Sequence, residues 1–161
     1  MGFFRPFSSS IKLNIVLIVS FSIAVNSFSI FPNLNIAFYI LFHLTFIYLV
    51  FYHYHYYLYI LALLYGILFD ILLFNNIGVH IISFLTVLIF FVILKKYLLR
   101  LSSYKIILTF FITLIFLLLL EQFSASLLNN YKIDIFSIIN FFIISLIIFI
   151  PTVFLFSKLD K

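Results

Sequence analysis

Hydrophobic residues run along this chain in long unbroken blocks, separated by short clusters that carry most of its charged side chains. The blocks fall at residues 13–31, 35–52, 56–74, 77–94, 104–128 and 136–157. Each is close to the roughly 20 apolar residues that an α-helix needs to cross a bilayer. Strands of a membrane barrel would alternate apolar and polar positions, and these blocks do not alternate. The pattern predicts an all-α polytopic membrane protein, a six-helix transmembrane bundle forming a single domain over residues 1–161. The third and fourth blocks are separated least. Asn75, Asn76 and Gly78 between them predict a tight hairpin rather than one long helix.

Composition adds exclusions. With 67% hydrophobic and 8% charged residues, little sequence remains for a soluble catalytic domain. Cysteine is absent, which excludes disulfides and thiolate metal sites. The 25 Phe and 11 Tyr, with Lys favoured over Arg, fit an AT-rich genome better than an aromatic binding cage.

The net charge of +5 is unevenly spread. Arg5, Lys12, Lys95, Lys96, Arg100, Lys105, Lys158 and Lys161 fall on one side of a six-span chain, and Lys132 alone falls on the other. Basic residues mark the cytoplasmic side, so both termini are expected in the cytoplasm. Anionic membrane lipids then account for the charge, and no nucleic-acid partner is implied. A signal peptide competes for the amino end, with Arg5 and Lys12 ahead of the apolar run and Ser22-Ile23-Ala24 as its cleavage site. The run continues to Phe31, and losing it would leave five spans.

With this topology, the strongly polar side chains gather in the outer half of the membrane. Asp70 falls about 6 Å inside the outer end of span three, and His80 on the returning helix falls at a similar depth. Glu121 is about 10 Å from the end of span five. Asn26 and Asn140 also fall in the outer half of their spans. Carboxylates inside membrane helices are costly and mark function by default, so Asp70 and Glu121 are candidates for a partner- or ligand-binding site. An Asp70–His80 pair is expected to be part of it. For Asn26 and Asn140, cross-helix hydrogen bonding within the bundle explains as much. Gly66 lies one helical turn before Asp70, on the same face, where it lets another backbone approach. Ala62, Gly66 and Asp70 form a stripe that also reads as plain helix packing.

His53 and His55, in Tyr52-His53-Tyr54-His55-Tyr56-Tyr57, have no acidic or Cys companion in their turn, so an interfacial aromatic belt is the better account. His43, inside span two, reads as a bundle-facing polar residue. No HExxH, GxSxG or phosphate-cradling glycine loop occurs, and no paired carboxylates sit at helical spacing. The expectation is a protein without catalytic residues, metal or cofactor.

Gly66-x-x-x-Asp70, followed by a turn and Gly78, resembles the central signature of the rod shape-determining protein MreD family. Phe31-Pro32-Asn33 resembles that family's entry to span two, and Pro151 with the basic tail resembles its ending. Phe74-Asn75-Asn76 departs from the family, in which glycine or serine is more usual there. The resemblance implies a noncatalytic subunit of the bacterial cell-elongation complex in the inner membrane. It implies MreC as the main partner, with MreB, RodA and the elongation transpeptidase reached through the complex. Gly66, Asp70 and Gly78 correspond to the motif, and His80 is grouped with them as a partner-binding or structural element. The family is thought to share the general fold of the substrate-binding components of energy-coupling factor transporters. The alternative expectation is therefore a small-molecule (vitamin-like) binding membrane component of a transporter.

Overall fold

A computed structural model describes residues 5–26, 32–74, 77–98, 103–129 and 135–159. Apart from short turns, these residues are helical: α1 (Arg5–Val25), α2 (Pro32–Tyr52), α3 (Tyr57–Phe69), α4 (Val79–Leu98), α5 (Ser103–Asn129) and α6 (Ile135–Leu159). A π-helical turn, Asp70–Phe74, continues α3. The all-α expectation holds, with six helices and no strand among the described residues. The segments Pro32–Tyr52, Tyr104–Leu128 and Ile135–Phe156 are long and apolar enough to cross a membrane, and Ile11–Val25, Tyr57–Leu73 and Val79–Ile93 are shorter apolar helices.

Helix α1 begins at Arg5, well ahead of the apolar block, and ends at Val25. Residues of middling helix propensity such as Ser8–Ser10 can extend a helix that an adjoining apolar segment already stabilises. Asn26 consequently sits just past the helix, exposed, rather than within a span. Residues 27–31, 75–76, 99–102 and 130–134, which include the expected Asn75-Asn76 turn, Arg100 and Lys132, lie outside the described residues, as does Lys161. Pro32 is the first residue of α2, where its missing N–H costs nothing.

The chain divides into two compact units, residues 1–53 with 136–161, and residues 54–135. In the first, α1 packs on α2. Among the described side chains of α1, the buried positions are Leu13, Leu17, Ser20 and Ala24, spaced by four, three and four as one helical face requires. Helix α2 is buried at Ile40 and continuously from Phe42 to Phe51, as suits a helix that is apolar all round. It meets α1 through Phe21 and Phe42 (6.1 Å between ring centroids) and α6 through Tyr48 and Phe156 (4.9 Å). Helix α6 buries Ser145, Phe149, Thr152 and Phe156 while exposing Ile139, Ile143, Ile147 and Ile150. It continues through Pro151, beside which the Thr152 hydroxyl donates to the Ile148 carbonyl at 2.7 Å.

In the second unit α4 packs against both α3 and α5. Helix α5 repeats the inverted pattern of α6. Thr113, Glu121 and Ser124 are buried, whereas Ile112, Phe116, Leu119 and Phe123 are exposed. Polar groups inward and large apolar groups outward is the reverse of a water-soluble protein and is the arrangement lipid requires. The hydroxyls need no distant partner, because they donate to their own helix: Ser20 to Leu17 O (3.0 Å), Ser83 to Val79 O (2.9 Å) and Ser145 to Phe141 O (2.7 Å). His43 does the same, its Nδ1 lying 2.7 Å from Tyr39 O. A carbonyl only accepts, so that nitrogen carries the proton.

If the outer face of α6 meets lipid, Ile147→Lys at its centre should lower membrane insertion by about 2.5–3.5 kcal/mol, more than tenfold. Lys158→Ile, near the helix end, should leave insertion unchanged. A glycosylation-mapped insertion assay reads both, and normal insertion of Ile147→Lys would show that this face is not in lipid.

Candidate functional site

The second unit holds a carboxylate with a complete set of donors. Asp70 and His80 are both fully buried. The Gly78 backbone N–H donates to Asp70 Oδ2 at 2.7 Å, and the His80 backbone N–H donates to Oδ1 at 2.8 Å. The His80 ring completes the set, with Nδ1 2.7 Å from Oδ1. A carboxylate receiving N–H groups on both oxygens is an acceptor throughout, so the ring proton resides on Nδ1.

Local helix chemistry explains why these groups meet. Ile82 N–H donates to Gly78 O at 3.0 Å, the first helical bond of α4, so Gly78 is the N-cap and His80 the second residue of the helix. The opening N–H groups of a helix have no partner within it and attract negative charge. A Ser or Asp at the cap position would normally supply the oxygen. Here the cap is glycine, and Asp70 supplies it from the end of the preceding helix. Gly78 adopts a φ of +142°, a conformation that side chains disfavour, which ties this position to glycine.

Asp70 is delivered by a change of helix type. Helix α3 closes at Phe69, the Asp70 N–H is shared between Gly66 O and Ile67 O, and the backbone then widens into the π turn. Such turns break the ordinary succession of faces, and they recur at functional sites. The His80 ring is held between aromatic neighbours, stacked on Phe69 (5.1 Å, 25°) and tilted against Phe84 (6.1 Å, 44°).

Gly66 acts one turn below. A Cβ there would lie 2.9 Å from both Cα and Cγ1 of Ile81. The backbone that approaches this glycine is therefore that of α4 in the same chain. The stripe of Leu58, Ala62, Gly66 and Phe69 is buried, and at Gly66 it is the α3–α4 packing face. A Cβ at Gly78 would lie 2.9 Å from Leu128 Cδ1, which sets α5 against the same corner. Gly66, Asp70, Gly78 and His80 are thus brought together in one clasp.

The other expected site residues divide between the two units. Glu121 is buried on α5, seven residues and about 10 Å along the helix from Leu128, whose Cδ1 faces Gly78. Asn26 and Asn140 belong to the first unit, the former exposed at the end of α1 and the latter half-buried near the start of α6. His55 is exposed, and no group of three or more His, Asp or Glu side chains among the described residues is placed to hold a metal. In the same turn the Tyr54 hydroxyl donates to that of Tyr59 (3.3 Å), and this bond, followed by burial, pushes the Tyr54 phenol up to about 12.

Sequence reasoning missed the π turn and the backbone donors at Gly78 and His80. The signal was present as an Asp followed eight and ten residues later by a Gly and a His across a turn.

Two substitutions test the clasp. In Asp70→Asn an NH2 group must face either the Gly78 N–H or the His80 donors, whichever way the amide is turned. The purified chain should lose about 1–3 kcal/mol of stability in detergent. Gly66→Ala forces a methyl group against the Ile81 backbone and should cost about 1–3 kcal/mol. Thermal unfolding measures both, and unchanged stability in both would remove the clasp from any structural role.

Comparison with known proteins finds no matching family model, no matching curated protein and no matching solved structure.

Proposed function

We propose that this chain is a noncatalytic membrane subunit of the bacterial cell-elongation complex, which helps position lateral peptidoglycan synthesis and maintain rod shape. The observation that carries the reading is the clasp. Gly66, Asp70 and Gly78, the residues through which the chain resembles the MreD family, converge in one hairpin with His80. Their roles there are structural and interdependent, as a scaffold motif demands. The protein lies in the inner membrane with six spans and both termini in the cytoplasm, in keeping with the basic residues. MreC is its direct partner, and MreB, RodA and the transpeptidase are joined through the complex.

The clasp also shapes how that partner binds. Asp70, His80 and Gly66 are occupied by their own chain, so MreC meets the outer surface of the hairpin rather than these atoms. Ile71, Leu72, Leu73 and Ile77, all exposed at the hairpin tip, provide that surface. The competing reading, a vitamin-like ligand bound by a transporter component, needs polar groups free to recognise it. Asp70 already accepts from three N–H groups, which favours the scaffold.

Co-purification with MreC in mild detergent tests the proposal. The native chain should retain MreC, and Leu72→Lys should release it while the chain still accumulates. Failure of the native chain to retain MreC, together with failure to restore rod shape in cells lacking their own MreD, would overturn it.

A further inference from the structure

Glu121 is a second buried carboxyl group of this unit, and the scaffold reading gives it no part. Helix α5 is pinned to α4 at two places. Phe110 packs edge to face on Phe91, with ring centroids 6.4 Å apart, and a Cβ at Gly78 would lie 2.9 Å from Leu128 Cδ1. Glu121 follows Phe110 by eleven residues, about three helical turns, and Leu128 follows it by eighteen, about five. The three side chains therefore share one stripe of α5, and that stripe meets α4 at both ends. Leu114 and Leu117 fill it between, both fully buried, and Glu121 is only 5% exposed.

His80 holds the matching place on α4. It precedes Phe91 by eleven residues and Phe84 precedes Phe91 by seven, about three turns and two. All three are buried on the face that Phe91 turns toward α5. The two pins make the helices antiparallel. In proportion between them, Glu121 falls near the level of Ser83, about 4.5 Å along the axis from His80. A glutamate side chain spans that offset.

The neighbours at this level are acceptors. Asp70 takes the proton of His80 Nδ1 at 2.7 Å; Nε2 lies across the ring from it, and in a neutral ring that nitrogen accepts. The Ser83 hydroxyl donates to Val79 O at 2.9 Å, so its oxygen can accept as well. A bare carboxylate can bond to neither, and a second negative charge close to Asp70 in an apolar unit would be costly. Of the other titratable groups on these helices, Tyr65 is half-buried on α3 beside Gly66. The remaining tyrosines and lysines lie at the ends of α3, α4 and α5 away from the clasp.

We propose that Glu121 and the His80 ring hold one proton between them, so that Asp70, His80 and Glu121 form a proton-binding site joining α3, α4 and α5. The proton rests on the Glu121 carboxyl or on His80 Nε2. Either placement leaves a single net negative charge on the three groups. The clasp thereby extends from the hairpin to a third helix. The site rests on the clasp geometry and is independent of the elongation partners.

Infrared difference spectroscopy and solid-state 15N NMR of the full chain in bilayers at neutral pH test it. The native chain should show either a carboxylic-acid C=O band that disappears in Glu121→Gln or a protonated His80 Nε2. Glu121→Ala should shift the Nε2 signal while Nδ1 stays protonated. Should Glu121→Ala fail to fold, Glu121→Gln decides in its place, since exchanging the shared proton for an amide N–H must also move Nε2. An ionised Glu121 beside an unprotonated Nε2 would overturn the proposal, as would an Nε2 signal that the substitution leaves unmoved.

Discussion

A carboxylate buried in an apolar helix must be given hydrogen-bond donors, and a helix that starts in apolar surroundings must be given acceptors. Each need is met by the other at Asp70. Its oxygens take the Gly78 and His80 backbone N–H groups and the His80 ring, so the costly charge and the unpaired start of α4 cancel in one contact. Around that contact the hairpin has little freedom. Gly66 must stay small for Ile81 to come close, and Gly78 must stay glycine to hold its positive φ.

The other helices follow a simpler rule. Buried hydroxyl groups such as those of Ser145 and Thr152 bond to their own backbone, while many isoleucine, leucine and phenylalanine side chains lie on the outside. Helices built this way associate through packing rather than through water-driven burial. A protein so made has few polar side chains on the outside of these helices. That suits a subunit that holds other membrane proteins in place.

Much of this was legible beforehand, and the reason is physical. Membrane crossing imposes a length and an apolarity that show directly in the blocks, so the all-α class and the approximate helix positions could be read from the chain. The hairpin could be read because Asn75, Asn76 and Gly78 interrupt an otherwise continuous run. Asp70 stood out by its rarity, and its pairing with His80 followed from the two lying at equal depth. The donors at Gly78 and His80 were not legible, because they are backbone groups that no side-chain pattern reports. Nor was the neighbour of Gly66. Small residues announce a close approach without saying whose backbone arrives, and the arrival of Ile81 moves this glycine from a docking role to an internal one. The end of α1 at Val25 was not legible either, because an apolar run does not mark where a helix stops within it.

The central claim is that Asp70 caps α4 and fixes the His80 ring, and the imidazole nitrogens report it most directly. Solid-state 15N NMR of the chain in bilayers, with His80 identified by comparison with His80→Gln, resolves which ring nitrogen is protonated. The account predicts a protonated, strongly hydrogen-bonded Nδ1, with its signal displaced in Asp70→Asn. An unprotonated Nδ1 in the native chain, or a His80 signal that Asp70→Asn leaves unmoved, would contradict it.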